Sequence, residues 1–222
     1  MPTAIAIDGP AGAGKSTIAR LAAKELGFIY VDTGALYRTI GLAAHRRMID
    51  TTDIDAVKAM LAQITVELAF NDAGEQIVLL NGEDVSALIR TPEISMMASA
   101  VSAIPAVRAY LLEQQRDMAR RHNVIMDGRD IGTVVLPDAQ IKIFLFASPE
   151  CRARRRYDEL IGKGMDVRFE DVLSDVEARD YADSHREIAP LKPAEGAIMV
   201  DTSWQTRDQS VEQLIAIMKE HL

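Results

Sequence analysis

Cys151 is the chain's one cysteine, so no disulfide can close within it and a cysteine-rich metal site is excluded. Excess basic charge is missing too: across 222 residues, 25 Lys and Arg stand against 33 Asp and Glu, a net charge of −8. A protein whose main partner is a nucleic-acid polymer usually carries a net basic face to neutralise phosphates, so that class is disfavoured. A local group of arginines can still hold a small anion. No apolar run reaches the roughly 20 residues needed to span a bilayer. The opening stretch MPTAIAIDGP has no basic segment and too short an apolar run for a signal peptide. A cytoplasmic location without a membrane partner is therefore expected. Only four histidines occur, none in an obvious catalytic setting. An internal repeat, a low-complexity tract and an NKxD-type guanine motif are all absent.

What is present is the composition of a globular chain with a real core, 48% hydrophobic and 26% charged. Residues 3–8 (TAIAID) form an apolar run ending at a glycine-rich turn, as a buried parallel strand does. Residues 15–26 carry apolar positions at helical spacing, with Gly27 as a C-cap. A strand at 28–31 and a helix over roughly 35–49 follow. Thr52 and Asp55 have capping-box spacing for a further helix. Residues 64–70 (ITVELAF) alternate with a period of two and end at NDAG. Residues 76–80 run into Asn81-Gly82, a tight-turn signal. This predicts a small antiparallel insertion. Beyond it the pattern predicts a helix over 105–121 and strands at 123–126 and 141–146. Ser148-Pro149 reads as an N-cap and N1 pair. A helix over 169–187, a strand at 197–200 and a helix over about 208–220 close the chain. Alternating strands and helices imply an α/β fold whose parallel sheet is covered on both faces.

Residues 9–16 (GPAGAGKS) fit the phosphate-loop pattern GxxxxGK[ST], between a predicted strand and a predicted helix. Gly9, Gly12 and Gly14 let the backbone curl so that successive N–H groups face one anion. The helix N-terminus adds partial positive charge. Lys15 reaches the β- and γ-phosphates, and the Ser16 hydroxyl can ligate Mg²⁺. A chance glycine-rich turn is the competing reading, which the strand–loop–helix context disfavours. The loop alone does not choose among kinases, GTPases and ATPases. The missing guanine motif disfavours the second, and the modest length disfavours a mechanical ATPase.

Further clusters suggest a second anion. In residues 32–38 (DTGALYR), Thr33 offers a hydroxyl and Arg38 a guanidinium; a plain helix N-cap with an exposed arginine explains them equally well. Residues 127–133 (DGRDIGT) follow a strand, and open α/β sheets bind ligands at strand C-termini, which favours Arg129 and Asp130. Asp127 could hold Mg²⁺ through water, or simply cap the next turn. Arg179, Asp183 and Arg186 are spaced i, i+4, i+7 and share one helix face. Guanidinium suits phosphate because it offers paired donors in a planar fork. A solvated salt-bridged surface is the alternative. Arg152, Arg155 and Arg156 would lie on one side of a helix, as a lid closing over a transferring phosphoryl group or as a basic patch.

GPAGAGKST, DTGALYR, NGEDVS with IRTPEIS, IPAVR, DGRDIGTVV, IKIFLFAS and the RD…R–APL segment follow one another as in bacterial cytidylate kinases. The chain resembles that family over nearly its whole length, and the β insertion with NGEDVS marks it among nucleoside monophosphate kinases. The resemblance implies a P-loop kinase with a central parallel β-sheet flanked by helices, a small β-containing NMP-binding insertion and a short Arg-rich lid. It implies one domain over 1–222, with its core in 1–36, 105–150 and 171–222, the insertion at about 37–104 and the lid at about 151–170. ATP would sit on Gly9, Pro10, Ala11, Gly12, Ala13, Gly14, Lys15, Ser16 and Thr17. Thr33, Arg38, Ser99, Arg108, Arg129, Asp130, Arg179, Asp183 and Arg186 would surround the acceptor nucleotide. Ser99 and Asp130 would meet the cytosine edge, Asp183 the sugar, and the arginines the α-phosphate. Arg152, Arg155 and Arg156 match the family's lid. Thr33 stands where serine is commoner, keeping the hydroxyl and adding a methyl group.

The expected reaction is phosphorylation of CMP and dCMP by ATP with Mg²⁺, in a monomer. Lys15, Arg129, Arg179 and the lid arginines would supply catalysis by alignment and charge neutralisation. A kinase for UMP, AMP or a hydroxylated acid is the nearer alternative, and a nucleotide-binding switch with little turnover the more distant one.

Overall fold

The computed structural model describes residues 2–71 and 75–222. In chain order the first elements are β1 (Ala4–Asp8), α1 (Lys15–Leu26), β2 (Ile29–Asp32), α2 (Thr33–Arg46), α3 (Ile54–Leu61), β3 (Val66–Phe70), β4 (Gln76–Leu80) and β5 (Glu83–Asp84). A 3-10 turn, Leu88–Arg90, leads to α4 (Pro92–Ser102), α5 (Pro105–Arg121) and β6 (Val124–Gly128). A π-helical turn, Ile131–Val135, precedes β7 (Ile141–Phe146), α6 (Pro149–Gly162), α7 (Phe169–His185), β8 (Ile198–Asp201) and α8 (Arg207–His221). Among the described residues no single helix is long and apolar enough to cross a membrane.

The chain divides into two compact units, one of residues 1–30 and 122–222, the other of 31–121. The five-stranded sheet runs β2-β6-β1-β7-β8. β1 lies at its centre, parallel to β6 and β7, and β7 is parallel to β8. All five β1 residues are buried, which is why the strand reads as a continuous apolar run rather than an alternating one. Ile5, Ile7, Ile125, Ile143 and Leu145 pack with Ile18 and Ala22 of α1 and with Leu214 and Met218 of α8. Each such aliphatic side chain contributes about 1.5–3 kcal/mol when fully buried. Parallel strands point their carboxyl ends the same way, so Asp8 and Gly128, paired in register, finish at one edge.

The second unit is built on its own core, including Leu36, Ile40, Met60, Ile89, Val101 and Leu111. β3, β4 and β5 form its antiparallel sheet. Asn81 and Gly82, with φ of 52° and 82°, make the tight turn into β5, as their left-handed tolerance predicts. The NDAG turn expected after the first of these strands falls mainly on residues 72–74, outside the described residues.

Several boundaries differ from the sequence reading. The helix placed at 35–49 runs Thr33–Arg46, because the Asp32 side chain accepts from Ala35 N and so caps it earlier. Thr52 does not cap α3; Asp53 does, accepting from Ala56 N at 2.9 Å. α4 was not foreseen, although Thr91-Pro92 has the same cap-and-proline signature as Ser148-Pro149. α7 ends at His185, leaving Arg186 just beyond it with extended backbone. α5 and all of α2 lie in the second compact unit.

Candidate active site

The loop from Gly9 to Gly14 joins β1 to α1 with positive φ at Gly9, Gly12 and Gly14. At Gly9 only glycine fits, since a Cβ would stand 1.9 Å from the Leu145 carbonyl oxygen. Lys15 is buried, and its Nζ donates to Pro10 O at 2.7 Å. Burial, reinforced by the Arg129 charge, lowers its pKa to about 7 against the pull of Asp127, Asp8 and Asp183. The loop is held from behind by two donors: Arg152 Nη1 to Ala11 O at 3.1 Å and Thr202 Oγ1 to Ala13 O at 3.2 Å. Pro10 and Ala13 are buried, while Gly12, Ser16 and Thr17 are exposed.

Ser16 Oγ donates to Asp127 Oδ2 at 2.9 Å, and Tyr30 donates its hydroxyl proton to Oδ1 at 2.8 Å. Asp127 thus faces the start of α1. A hydroxyl and a carboxylate are hard oxygen donors of the kind Mg²⁺ takes alongside substrate phosphates and water. The pair therefore fits that ion.

At the end of β6, Arg129 Nε donates to Asp183 Oδ2 at 2.8 Å. Burial pushes the Asp183 carboxyl up, but the charge and hydrogen bond of Arg129, with Arg179 and Arg186 behind them, outweigh it and hold the group below its ordinary value. Arg186 Nη2 lies 3.6 Å from Asp130 Oδ1. So Arg129, Asp130, Arg179, Asp183 and Arg186 do gather, although Arg186 arrives from beyond the helix rather than from its face. Three guanidinium groups against two carboxylates leave a net positive cluster, suited to an anion that also offers hydroxyl groups.

Of the three arginines expected in the lid, Arg152 is the most enclosed. It is 2% exposed, donates Nε to Ala147 O at 2.8 Å and forms a two-pronged pair with Asp180. The carboxylate of α7 and two backbone carbonyls take up its donors, so it braces the phosphate loop. Arg155 donates to Thr202 O at 2.6 Å. Arg156 pairs with Glu159 at 2.8 Å on the exposed side. The three arginines have three separate settings.

In the second unit, Thr33 opens α2 and is buried. Arg38 Nη2 reaches Asp32 Oδ2 at 2.6 Å. A Cβ on Gly34 would stand 3.0 Å from the Arg38 Nη1 atom. Arg108, 8% exposed, lies 5.7 Å from the Tyr37 ring centroid and donates to Ser102 O at 3.3 Å. Ser99 lies on α4, half-buried, its carbonyl accepting from Ser102 Oγ at 2.8 Å.

Sequence reasoning missed Asp8, Tyr30, Gln76 and Asp180. Gln76 accepts from Asp32 N at 2.8 Å and donates to Asp32 O, fixing the strand end before Thr33. Asp8 accepts Ile131 N–H on Oδ1 and Gly132 N–H on Oδ2, both at 2.7 Å. A carboxylate ending a buried apolar strand was the available signal for Asp8; the other three partners are distant in sequence and left none.

Comparison with known proteins shows the family. The family model "Cytidylate kinase" matches residues 5–220. A cytidylate kinase of Lactobacillus gasseri is 50% identical over 97% of this chain and 94% of its own. Those of Carboxydothermus hydrogenoformans and Caldanaerobacter subterraneus subsp. tengcongensis are 49% and 51% identical, covering 96% and 98% of this chain and 96% and 95% of theirs. A solved shikimate kinase from Bacteroides thetaiotaomicron is 12% identical with a TM-score of 0.47 and 98% coverage of both chains, a likeness that bears on no functional assignment. With the family model spanning 5–220 and half the residues shared over nearly the full length, this chain belongs to the cytidylate kinase family.

Proposed function

We propose that this chain transfers the γ-phosphoryl group of ATP to the phosphate of CMP or dCMP, giving ADP and CDP or dCDP. The gathering of Arg129, Arg179 and Arg186 about Asp130 and Asp183, in the same unit as the phosphate loop, carries this reading. A donor loop alone fits any nucleotide-hydrolysing protein; a separate arginine cluster calls for a second anion.

The acceptor oxygen is already ionised at neutral pH, so no strong general base is required. Catalysis rests on holding two polyanions in line and neutralising the charge they bring together. Lys15 would bind the β- and γ-phosphates, exchanging its bond to Pro10 O for the donor. Arg129 and Arg179 would bind the acceptor phosphate, with Asp183 toward the sugar and Asp130 toward the base. Thr33, Arg38, Ser99 and Arg108 are the acceptor contacts proposed on the second unit, and Arg152, Arg155 and Arg156 the lid arginines, Arg152 also bracing the phosphate loop. Mg²⁺, with Ser16 as ligand and Asp127 behind it, would offset phosphate charge when bound. The working form is proposed to be a monomer.

Calorimetry without donor tests the acceptor cluster. R129A and D183A should weaken CMP binding on the order of tenfold or more and leave ADP binding intact, in line with loss of a charge-assisted contact. Unchanged CMP affinity in both variants would contradict the assignment.

A further inference from the structure

Asp8 is 2% exposed and ends β1, one residue before the phosphate loop begins. Both of its oxygens accept backbone N–H groups of another segment: Oδ1 from Ile131 and Oδ2 from Gly132, each at 2.7 Å. Those residues open the π-helical turn whose preceding residues are Arg129 and Asp130. The turn's first N–H groups have no partner within it, so Asp8 caps it from a neighbouring strand.

The joint is tight at its other end. A Cβ on Gly132 would stand 3.1 Å from Ala194 Cβ and 3.4 Å from Asp8 Oδ2, so an added methyl group would press on the joint and require Ala194 to give way. Asp130 itself accepts Val134 N and Val135 N on its carbonyl, at 2.9 and 3.1 Å, which binds its backbone to the same turn. Displacing Ile131 therefore displaces Asp130, and with it the geometry toward Arg186.

We infer that Asp8 is a positioning residue for the acceptor, locking the Arg129–Asp130 turn to the strand from which the phosphate loop springs. This rests on the kinase reading above. The donor loop and the acceptor-reading turn are thereby registered to one carboxylate, and small misplacements of reacting groups are costly.

The test compares wild type with D8N and G132A. The first substitution keeps the side-chain size but points an amide N–H₂ at one backbone N–H; the second strains the joint while leaving the carboxylate. Each should raise KM for CMP on the order of tenfold, lower kcat, and narrow the preference for CMP over UMP, with the ADP Kd changed by less than about threefold. Hydrogen exchange at Ile131 and Gly132 should speed up in D8N while the Ile5–Ile7 amides stay protected. Should D8N fail to fold, G132A alone decides. An ADP Kd weakened with CMP KM unchanged would overturn the proposal, placing Asp8 in donor binding. Lower active fraction with both constants unchanged would also overturn it, since that is a purely structural role. If wild type uses another acceptor, the CMP reading fails, and the same shift in that acceptor's KM still supports Asp8; faster exchange absent at 131 and 132 sinks the joint itself.

Discussion

The Ser16 hydroxyl and the Asp127 carboxylate meet at 2.9 Å although 111 residues separate them in sequence. Parallel pairing of β1 with β6 brings the start of α1 beside the end of β6. This turns an aspartate near the end of β6 into a support for the proposed Mg²⁺ ligand.

D127N should therefore raise the Mg²⁺ concentration needed for half-maximal turnover by about 10–100-fold, the usual effect of losing a residue that orients a ligand. Turnover at saturating Mg²⁺ would recover in part. An unchanged Mg²⁺ titration would show that Asp127 serves only Ser16 and Tyr30 packing.

Lys15 predicts a proton change on donor binding. Burial lowers its pKa to about 7, so at a pH of about 8 most of the amine is neutral. Phosphates favour the ammonium form. ATP binding under those conditions should thus take up a fraction of a proton, read as a dependence of calorimetric enthalpy on buffer ionisation heat. No buffer dependence would contradict this. K15M should cut turnover by orders of magnitude with the fold retained.

Asp8 makes stability depend on pH. Burial is the chief cause raising its pKa from 3.8 to about 6, aided by the Asp130 charge and opposed by the two backbone bonds and Lys15. The folded state therefore favours the neutral acid. Its contribution is full below about pH 4 and is lost as pH rises through about 6, worth about 3 kcal/mol. Denaturant titrations of wild type and D8N should diverge over that window, wild type losing the more stability between about pH 4 and about pH 7. Parallel curves would refute the shift.

Arg152 is buried against Asp180. D180A leaves a guanidinium with its carboxylate gone and should cost on the order of 2–3 kcal/mol, below the range for fully buried pairs because the Asp180 side chain is 27% exposed. Thermal unfolding measures this directly. A loss of activity without destabilisation would show that the pair serves the lid rather than the fold.

Much of this was readable from residue types. The phosphate loop and both ends of α1 follow from local backbone needs at Gly9, Gly14 and Gly27, and local needs are written in adjacent residues. The arginine cluster was legible as candidates, because Arg179 and Asp183 share a helix face. What set Arg152 apart from Arg155 and Arg156 was Asp180, 28 residues away, and spacing along one helix carries no information about such a partner. Asp8 was legible as a carboxylate ending a buried apolar strand, but its role was not: its partners Ile131 and Gly132 donate from the backbone, which has no residue-type signature.

The acceptor assay tests the central claim most directly. Purified protein with Mg·ATP is offered CMP, dCMP, UMP, AMP and shikimate separately, and ADP release is followed. Strong turnover confined to CMP and dCMP is the predicted result; ADP release indifferent to every acceptor would contradict it.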